Sequence, residues 1–413
     1  PRALPPSEKP REIRKAAVIG MGAMGTGIAQ AIIAAGIPVV ARDENEPATR
    51  KGMERISSSI QKRVEQGKLS PQRADQTLGL ITTTTSWEPI AAADLVIEAV
   101  FEDAQVKRSV ISRLEDICGA GVLIATNTST LSLDVLAEGM KHPERFLGLH
   151  FFNPAHRMQL LEIICAERTS DQTLATSVHF ARTIGKIPIA VNDGPGFYVT
   201  RQLITLLGGS VYLVSDGVDA NQIENAVKGF GMPMGPAELE DLTGIDIGYH
   251  VNKTFEQKLG SRYKIHPLTE LIYRTGCYGR KTGSGYMDYT GERPVPNRKV
   301  VDVVEKYISD NGVLPRPISD QEIIDTLLGL AINEAALMIE EGICDRPREM
   351  DLAMIYGAGF PAYRGGVLRY ADTWGASTVY DKLLELEARY GERFKPAALL
   401  KDMAASGKKF YQD

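Results

Sequence analysis

The stretch KAAVIGMGAMGTGIAQ, residues 15–30, runs from apolar residues through spaced glycines into residues that favour a helix. Residues 16–19 (AAVI) are typical of a buried parallel strand. The glycines that follow have the G-x-G-x-x-G spacing of a turn whose free N–H groups hold a pyrophosphate at the positive end of a helix. The stretch therefore predicts a dinucleotide-binding turn, and a tight turn that holds no ligand is the alternative.

Each glycine of this turn has its own physical role. Gly20 permits the tight turn, Gly22 lets the backbone approach the pyrophosphate, and Gly25 lets the helix pack close to the sheet. Asp43 ends the next apolar run, where a carboxylate can accept a hydrogen bond from the adenosine ribose. Its charge favours NAD over NADP, although an arginine such as the neighbouring Arg42 could accommodate a 2′-phosphate. The predicted cofactor contacts within the turn are Gly20, Met21, Gly22, Ala23, Met24 and Gly25.

The composition is that of an ordinary globular protein of roughly two or three domains. The chain has 413 residues, 43% of them hydrophobic and 24% charged, and a net charge of −5. Bulk attraction to nucleic acid or to an anionic membrane is therefore not expected, and no apolar run is long enough for a membrane span. Cysteines 118, 165, 277 and 344 form no C-x-x-C pair, which argues against a disulfide scaffold or a zinc site. The Pro-rich start has no signal-peptide pattern and is typical of a linker, so we expect further chain upstream.

Apolar runs alternate with helical patterns through the first half of the chain. The strand-like runs lie at 16–19, 37–43, 93–100, 121–127, 146–152, 160–164 and 187–191, and helical patterns lie at 46–68 and 103–117. This alternation predicts an open, mostly parallel α/β sheet. Ligands bind such sheets at the carboxyl ends of the strands.

Beyond residue 198 the apolar spacing becomes helical, and two segments, 211–244 and 336–375, resemble each other. Their landmarks recur in the same order: Gly217 with Gly342, Gly231 with Gly359, Pro233 with Pro361, Asp241 with Asp372, and Gly244 with Gly375. We interpret them as two copies of one helical domain, with chance similarity of Gly- and Pro-punctuated helices as the alternative. The predicted domains are 14–192 for the dinucleotide, 193–292 and 320–413 for the two helical copies, with linkers at 1–13 and 293–319.

Polar residues lie at or near the ends of three predicted strands. Ser129 lies in NTSTL (127–131) and His150 in LHFFNP (149–154), so both approach the carboxyl edge of the sheet. Glu162 lies inside the apolar run LLEII, where an unpaired carboxylate is costly to bury. A histidine held by a glutamate is a common acid–base arrangement. On residue types alone, a core histidine and a glutamate that caps the backbone are an equal alternative.

Taken together, several motifs resemble the (S)-3-hydroxyacyl-CoA dehydrogenase family, in family order over nearly the whole chain. They are GMGAMGTGIAQ, DLVIEAVFED, NTSTL, GLHFFNP, LLEII, DGPGFYVTR, GMPMGP and GRKTGSGY. The resemblance implies an α/β Rossmann-like N-terminal domain followed by two tandem all-α C-terminal domains. With its repeat, the chain is similar to the dehydrogenase part of multifunctional fatty-acid oxidation proteins. That part performs the reversible, NAD-dependent oxidation of (S)-3-hydroxyacyl-CoA to 3-oxoacyl-CoA in β-oxidation. The implied partners are the acyl-CoA substrate, a linked enoyl-CoA hydratase domain and a thiolase subunit.

The resemblance also implies roles for single residues. It implies that His150 is the general base, that Glu162 orients its ring, and that Ser129 bonds the substrate oxygen. The implied cofactor contacts are Glu102, Lys107 and Lys281, and the implied substrate contacts are Asn153, Thr200, Ser57 and Arg63, with Ser58 and Lys62 beside the last two. For those on the 46–68 helix, a solvated charged face is the alternative. No metal ligand is implied.

One position departs from the family pattern. The family has P-G-F-x-x-N-R, and this chain has Thr200 in place of the asparagine, a shorter side chain that can still donate one hydrogen bond. The second helical copy has no counterpart of Ser129, His150 or Glu162. We therefore expect it to take no part in catalysis and to pack against the first copy as a pseudo-dimer.

Two other functions fit part of this evidence. One is a dehydrogenase of small hydroxy acids without CoA, and the other is a scaffold that docks a hydratase or a thiolase. The complete set of turn glycines with Asp43 and His150 argues against the scaffold. For the compartment, a bacterial cytoplasm is the default expectation and an organelle is the alternative.

Overall fold

The computed structural model describes residues 8–412, which form two compact units that divide between Phe197 and Tyr198. The predicted linker at 1–13 therefore lies mostly outside the described residues. The first unit is a sheet with helices, and the second is almost entirely helical.

The first unit is built on one sheet of eight strands. They are Ala16–Ile19 (β1), Val39–Arg42 (β2), Ile81–Thr84 (β3), Leu95–Glu98 (β4), Leu123–Thr126 (β5), Phe146–Phe151 (β6), Leu160–Cys165 (β7) and Ile187–Asn192 (β8). Their order across the sheet is β3-β2-β1-β4-β5-β6-β7-β8. Neighbouring strands run parallel except β6 and β7, which are antiparallel. The predicted open, mostly parallel sheet is confirmed.

Helices connect these strands, and a side chain caps the start of each of them except the first. They are Ala23–Ala34 (α1), Glu46–Glu65 (α2), Pro71–Leu78 (α3), Ala104–Ile117 (α4), Leu133–Leu136 (α5) and Asp171–Thr183 (α6). Asn45 accepts a hydrogen bond from the Ala48 N–H at the start of α2, and Asp103 accepts from two N–H groups at the start of α4. Strands β1, β4, β5, β6 and β7 are buried along their whole length, which accounts for their apolar sequences.

Strand β3 and helix α3, like α5 and α6, are elements of this unit that the sequence analysis does not predict. The sequence of β3 is ITTT, and only Ile81 is buried, because the strand lies at the edge of the sheet. In α3 only Ala74 is buried. An element that places one side chain in the core has no periodic apolar signal.

The second unit contains the two helical copies, whose tandem arrangement is confirmed. The first copy has Val199–Ser215 (α7), Ala220–Phe230 (α8), Pro236–Thr243 (α9) and Ile245–Leu259 (α10); Pro267–Tyr273 (α11), the strands Met287–Asp288 (β9) and Val295–Pro296 (β10), and Arg298–Asp310 (α12) follow. The second copy has Asp320–Glu340 (α13), Pro347–Ala358 (α14), Val367–Trp374 (α15), Ala376–Tyr390 (α16) and Ala398–Ser406 (α17). The matched Gly231 and Gly359 end α8 and α14 in the left-handed conformation, with φ of 116° and 72°. Helix α12 lies inside the stretch predicted as a linker, 293–319.

A buried ion network joins the two copies. Arg201 of α7 donates through Nε to Glu334 of α13 and through Nη1 to Glu341, both at 2.6 Å. Arg393 donates to the other Glu334 oxygen at 2.9 Å. Burial alone would raise the pKa of Glu334, but the charges of Arg201 and Arg393 outweigh it and lower the pKa to about 2. Each buried charge thus has a partner, which burial requires.

Candidate active site

The glycine turn between β1 and α1 leaves one open position at the helix N-terminus. A Cβ on Gly20, which has φ +98°, would lie 2.7 Å from the Ala99 carbonyl oxygen, and a Cβ on Gly25 would lie 1.8 Å from the Gly20 carbonyl oxygen. A Cβ on Gly22 would meet no atom within 4 Å. Gly22 is the N-cap of α1, and no side chain caps this helix end. The open space therefore lies at N–H groups that have no side-chain acceptor, which suits a pyrophosphate.

Asp43 lies beside this turn, just after β2. Its Oδ2 accepts a hydrogen bond from the Met21 N–H at 2.7 Å, which holds the carboxylate against the glycine turn. Arg42 is engaged elsewhere: its Nε donates to the Thr85 carbonyl at 3.2 Å, and its guanidinium lies 4.1 Å from the centre of the Trp87 ring. A carboxylate in this place accepts from a ribose hydroxyl and repels a 2′-phosphate. The residues present therefore fit NAD.

A buried ion pair lies under the connection between β4 and α4. Lys107 Nζ is 2.9 Å from Glu98 Oε1, and both side chains are fully buried. Thr126 donates to the other Glu98 oxygen at 2.6 Å, and Glu102 Oε2 lies 3.5 Å from the ammonium. The cofactor contact that the resemblance implies for Lys107 stays a prediction; the contacts observed here are to carboxylates. Sequence reasoning missed Glu98, although it shows the signal used for Glu162, a carboxylate inside an apolar run.

Glu102 holds the loop that follows β5. Its Oε1 accepts from the Thr128 hydroxyl at 2.6 Å, from the Ser129 N–H at 2.9 Å and from the Thr130 N–H at 3.3 Å. The Ser129 hydroxyl has no hydrogen-bond partner among residues 8–412. The structure thus brings together two residues predicted for different roles, Glu102 for the cofactor and Ser129 for the substrate.

His150 and Glu162 form a buried pair across β6 and β7. The antiparallel register places them directly opposite each other, and His150 Nδ1 lies 2.7 Å from Glu162 Oε2. Their exposed fractions are 4% and 0%. A carboxylate at Glu162 can only accept, so it selects the tautomer with the hydrogen on Nδ1, and in the neutral imidazole Nε2 then has the lone pair. This is the arrangement of a general base oriented by a carboxylate. The Phe152 and Phe197 rings border the imidazole, with centroids 4.5 and 5.9 Å away.

Two residues that the sequence reasoning missed fix the backbone around this pair. Asn127 accepts from the Phe151 N–H at 2.8 Å and so ties the end of β5 to β6. Lys186 donates to the carbonyls of Ala155 and Met158, at 2.6 and 2.5 Å, and holds the loop after β6. Burial lowers the pKa of Lys186. Asn153 is exposed at the start of that loop.

The predicted residues of the 46–68 helix lie on α2. Ser57 is half-buried, and Ser58, Lys62 and Arg63 are exposed. Arg63 and Lys68 line an open groove bordered by α1, α2 and α3. Exposure of this kind is compatible with a phosphate contact and equally with a solvated face.

The remaining predicted residues, Thr200 and Lys281, belong to the second unit. Thr200 is half-buried in the first turn of α7, and Lys281 Nζ lies 2.5 Å from Asp246 Oδ1 at the start of α10. Their cofactor and substrate contacts stay predictions. Within residues 8–412, no group of three or more His, Cys, Asp or Glu side chains could hold a metal ion. No helix in the described part of the chain is long and apolar enough to cross a membrane.

Comparison with protein families matches both halves of the chain to one family. The NAD-binding domain of 3-hydroxyacyl-CoA dehydrogenase matches residues 15–194, and its C-terminal domain matches residues 196–289 and 323–411. The chain belongs to the 3-hydroxyacyl-CoA dehydrogenase family. Its first unit is therefore an NAD-binding domain, and its helical copies are C-terminal domains of the same family.

Relatives of this 3-hydroxyacyl-CoA dehydrogenase family member include proteins of fatty-acid oxidation. The fatty acid oxidation complex subunit alpha of Pseudomonas syringae pv. tomato is 37% identical over 411 residues, which are 98% of this chain and 56% of that protein. The peroxisomal fatty acid beta-oxidation multifunctional protein AIM1 of Arabidopsis thaliana is 36% identical over 404 residues, 97% of this chain and 56% of that protein. The chain therefore spans about half the length of the curated relatives it matches.

Solved structures of the same family also resemble the chain. The 3-hydroxybutyryl-CoA dehydrogenase of Escherichia coli K12 has a TM-score of 0.85 and 25% identity, covering 96% of this chain and 100% of that one. The dehydrogenase part of multifunctional enzyme 1 of C. elegans has a TM-score of 0.69 and 26% identity, covering 96% of this chain and 90% of that one.

Proposed function

We propose that this chain oxidises (S)-3-hydroxyacyl-CoA thioesters to 3-oxoacyl-CoA with NAD, in the reversible dehydrogenase step of fatty-acid β-oxidation. The observation that carries the proposal is the buried His150–Glu162 pair, with 2.7 Å between Nδ1 and Oε2, on the sheet of an NAD-binding domain. A buried imidazole with a lone pair on Nε2 can act as a base, and a substrate hydroxyl can supply the proton that it accepts.

In this reaction one proton and one hydride leave the alcohol. NAD, when held by the glycine turn, would supply the acceptor for the hydride that leaves C3 of the substrate. His150 Nε2 takes the hydroxyl proton while the carbon–oxygen bond becomes a carbonyl. Glu162 keeps the hydrogen bond from Nδ1–H, which holds the ring in place and stabilises the imidazolium. We assign the Ser129 hydroxyl a hydrogen bond to the reacting oxygen, supported by the loop that Glu102 holds by three hydrogen bonds.

The other contacts are assigned by family position. The cofactor is held by the turn at 20–25, by Asp43 at the ribose, and by Glu102, Lys107 and Lys281. The substrate is held by Asn153, Thr200, Ser57 and Arg63. The geometry supports the turn and Asp43 most directly, because the open space at Gly22 and the carboxylate beside Met21 belong to one small region.

The decisive experiment follows NADH absorbance with acetoacetyl-CoA as substrate. We expect NADH to be consumed, and we expect free 3-hydroxybutyrate to be a far poorer substrate than its CoA ester in the reverse direction. Faster turnover of the free acid would favour a dehydrogenase of small hydroxy acids. Folded protein that consumes no NADH and gives no heat of NADH binding in calorimetry would refute the proposal and favour a scaffold.

We also propose that the chain is the dehydrogenase part of a longer multifunctional protein. The support is its coverage of 56% of relatives whose names include a complex subunit and a multifunctional protein. An enoyl-CoA hydratase domain and a thiolase subunit are the partners we propose, with a bacterial cytoplasm as the compartment. Hydration of crotonyl-CoA by the full-length product, co-purification of a thiolase and fractionation of source cells test these points. Limited proteolysis tests the boundaries at 192, 292 and 320.

A further inference from the structure

An apolar cavity lies in the second unit where the two helical copies meet. It is narrow: the centre of a water molecule can occupy about 50 Å³ of it, and its unfilled space is about 520 Å³ when the solvent at its open mouth is included. Every side chain that lines it is apolar. Both copies form its walls, with Leu203, Leu207 and Met234 from the first and Leu327, Leu328 and Phe360 from the second. No charged side chain is among the residues that line the cavity, and Arg201 of the ion network is not one of them.

The cavity begins within one helical turn of a residue we assign to the substrate. Thr200, Leu203 and Leu207 are three and four residues apart in α7 and therefore share one face of the helix. Thr200 and Leu203 are half-buried, and Leu207 is buried. The face thus runs from a hydroxyl at the helix start into a space lined by hydrocarbon.

We propose that this cavity binds the hydrocarbon chain of a fatty acyl-CoA substrate. The proposal rests on the proposed function, because it requires the reacting end of the thioester to bind at the start of α7. Transfer from water into the cavity is favourable only for hydrocarbon groups. A polar ligand would lose its hydrogen bonds to water, and no lining side chain could replace them. Met232 and Met234 are unbranched and can adjust to chains of different length.

This assignment gives the second copy a function without catalytic residues. It provides Leu327, Leu328 and Phe360 as one wall of the cavity, and Leu203 and Leu207 of α7 belong to the other wall. Each methylene that moves from water into the cavity should raise kcat/KM about fourfold until the cavity is full. Substrates of long or medium chain length are therefore expected to be preferred over C4.

The test is a chain-length series with the 413-residue chain. NADH consumption is measured with 3-oxoacyl-CoA substrates of C4, C8, C12 and C16, for the wild type and for Leu203→Trp, which fills the cavity from α7. Met234→Phe is a smaller change that also fills the cavity, and it replaces the tryptophan variant in the test if that variant does not fold. Leu384→Trp, at an exposed position of α16, is the matched control. Circular dichroism verifies the fold of each variant.

We expect kcat/KM to rise from C4 to at least C8 in the wild type and in the control. We expect the ratio of C12 to C4 activity to fall at least tenfold in the filled variants. Turnover of C4 with a flat chain-length series, or filled variants with the wild-type ratio, would overturn the inference while leaving the proposed function standing. Absence of turnover with any substrate would refute the proposed function, and the inference with it.

Discussion

Replacing Gly22 by alanine should weaken NAD binding strongly while changing the stability of the fold only slightly. Gly22 has φ −69° and ψ −164°, a conformation open to any L residue, and its added Cβ meets no atom within 4 Å. Alanine at a helix N-cap costs about 0.5 kcal/mol relative to glycine. For a unit of this size, that corresponds to a fall in Tm of about 2 °C.

The effect on NAD binding should be much larger. The methyl group fills the space at the uncapped N-terminus of α1 and pushes a pyrophosphate away from the N–H groups. A hydrogen bond to a charged group contributes about 1.5 to 3 kcal/mol. Loss of two such bonds amounts to about 3 to 6 kcal/mol, so the Kd for NADH should rise by about 10² to 10⁴.

Calorimetric titration with NADH, together with thermal unfolding followed by circular dichroism, measures both effects. Gly119→Ala is the matched control: its Cβ also meets no atom within 4 Å, and Gly119 precedes the amino end of β5, whereas the glycine turn follows the carboxyl end of β1. A Kd for Gly22→Ala within about threefold of the wild type would refute the turn as the pyrophosphate site. A fall in Tm beyond about 5 °C would show that the space at Gly22 is not open.

The remaining predictions concern the catalytic pair, the ion network and the ribose site. His150→Gln should lower kcat by about 10² to 10⁴ with NADH affinity unchanged, as expected for loss of a general base, and Glu162→Gln should lower kcat through the wrong imidazole tautomer. Glu334→Gln should destabilise the protein by about 3 to 5 kcal/mol in urea unfolding, because it leaves buried guanidinium groups short of a partner. Since the folded pKa of Glu334 is lowered to about 2, its stabilising effect of about 3 kcal/mol should be present above about pH 5 and lost as the pH falls toward 2. Asp43→Asn should reduce the preference for NADH over NADPH in direct titrations, because it removes the charge that repels a 2′-phosphate.

Exposed residues of the same types are the controls. His142→Gln changes a histidine that is about half exposed, and Glu385→Gln changes a carboxylate that is 70% exposed. Neither should alter kcat or stability measurably. A His150→Gln enzyme as active as the wild type would remove the histidine from the reaction. A Glu334→Gln protein as stable as the wild type at pH 7 would mean that the network adds nothing.

The elements that can be predicted from the sequence are those in which every residue is buried. Strands β1, β4 and β5 are buried along their whole length and apolar except for Glu98 and Thr126 at the ends of β4 and β5, so their existence in a mostly parallel sheet is predictable. Strand β3 is not, because it contributes only Ile81 to the core. The repeat is visible because Gly231 and Gly359 must both adopt the left-handed conformation that ends a helix.

In the candidate active site, the sequence identifies the polar residues, and the structure shows which of them form hydrogen bonds or ion pairs with each other. For His150 and Glu162 the residue types leave a pair and an unpaired core histidine equally open, because a carboxylate inside an apolar strand needs a partner but the pattern does not say which one. The role of Glu102 as the acceptor for three donors of the Ser129 loop depends on how β4 and β5 lie side by side, which no local pattern encodes. The partnership of Lys107 with Glu98 is hidden for the same reason.

The ion network and the apolar cavity are consequences of one interface, between α7 and α13. An apolar interface alone tolerates a shift of one helix along the other, because hydrocarbon contacts are not directional. Arg201 and Glu334 do not tolerate it, since a shift would leave buried charges unpaired at a cost of several kcal/mol. The network therefore fixes the register in which Leu328 faces Leu203 and Leu207, and with it the width of the cavity. By this reasoning, Glu334→Gln should change the chain-length profile as well as the stability, whereas a change that only destabilises the unit should leave the profile intact.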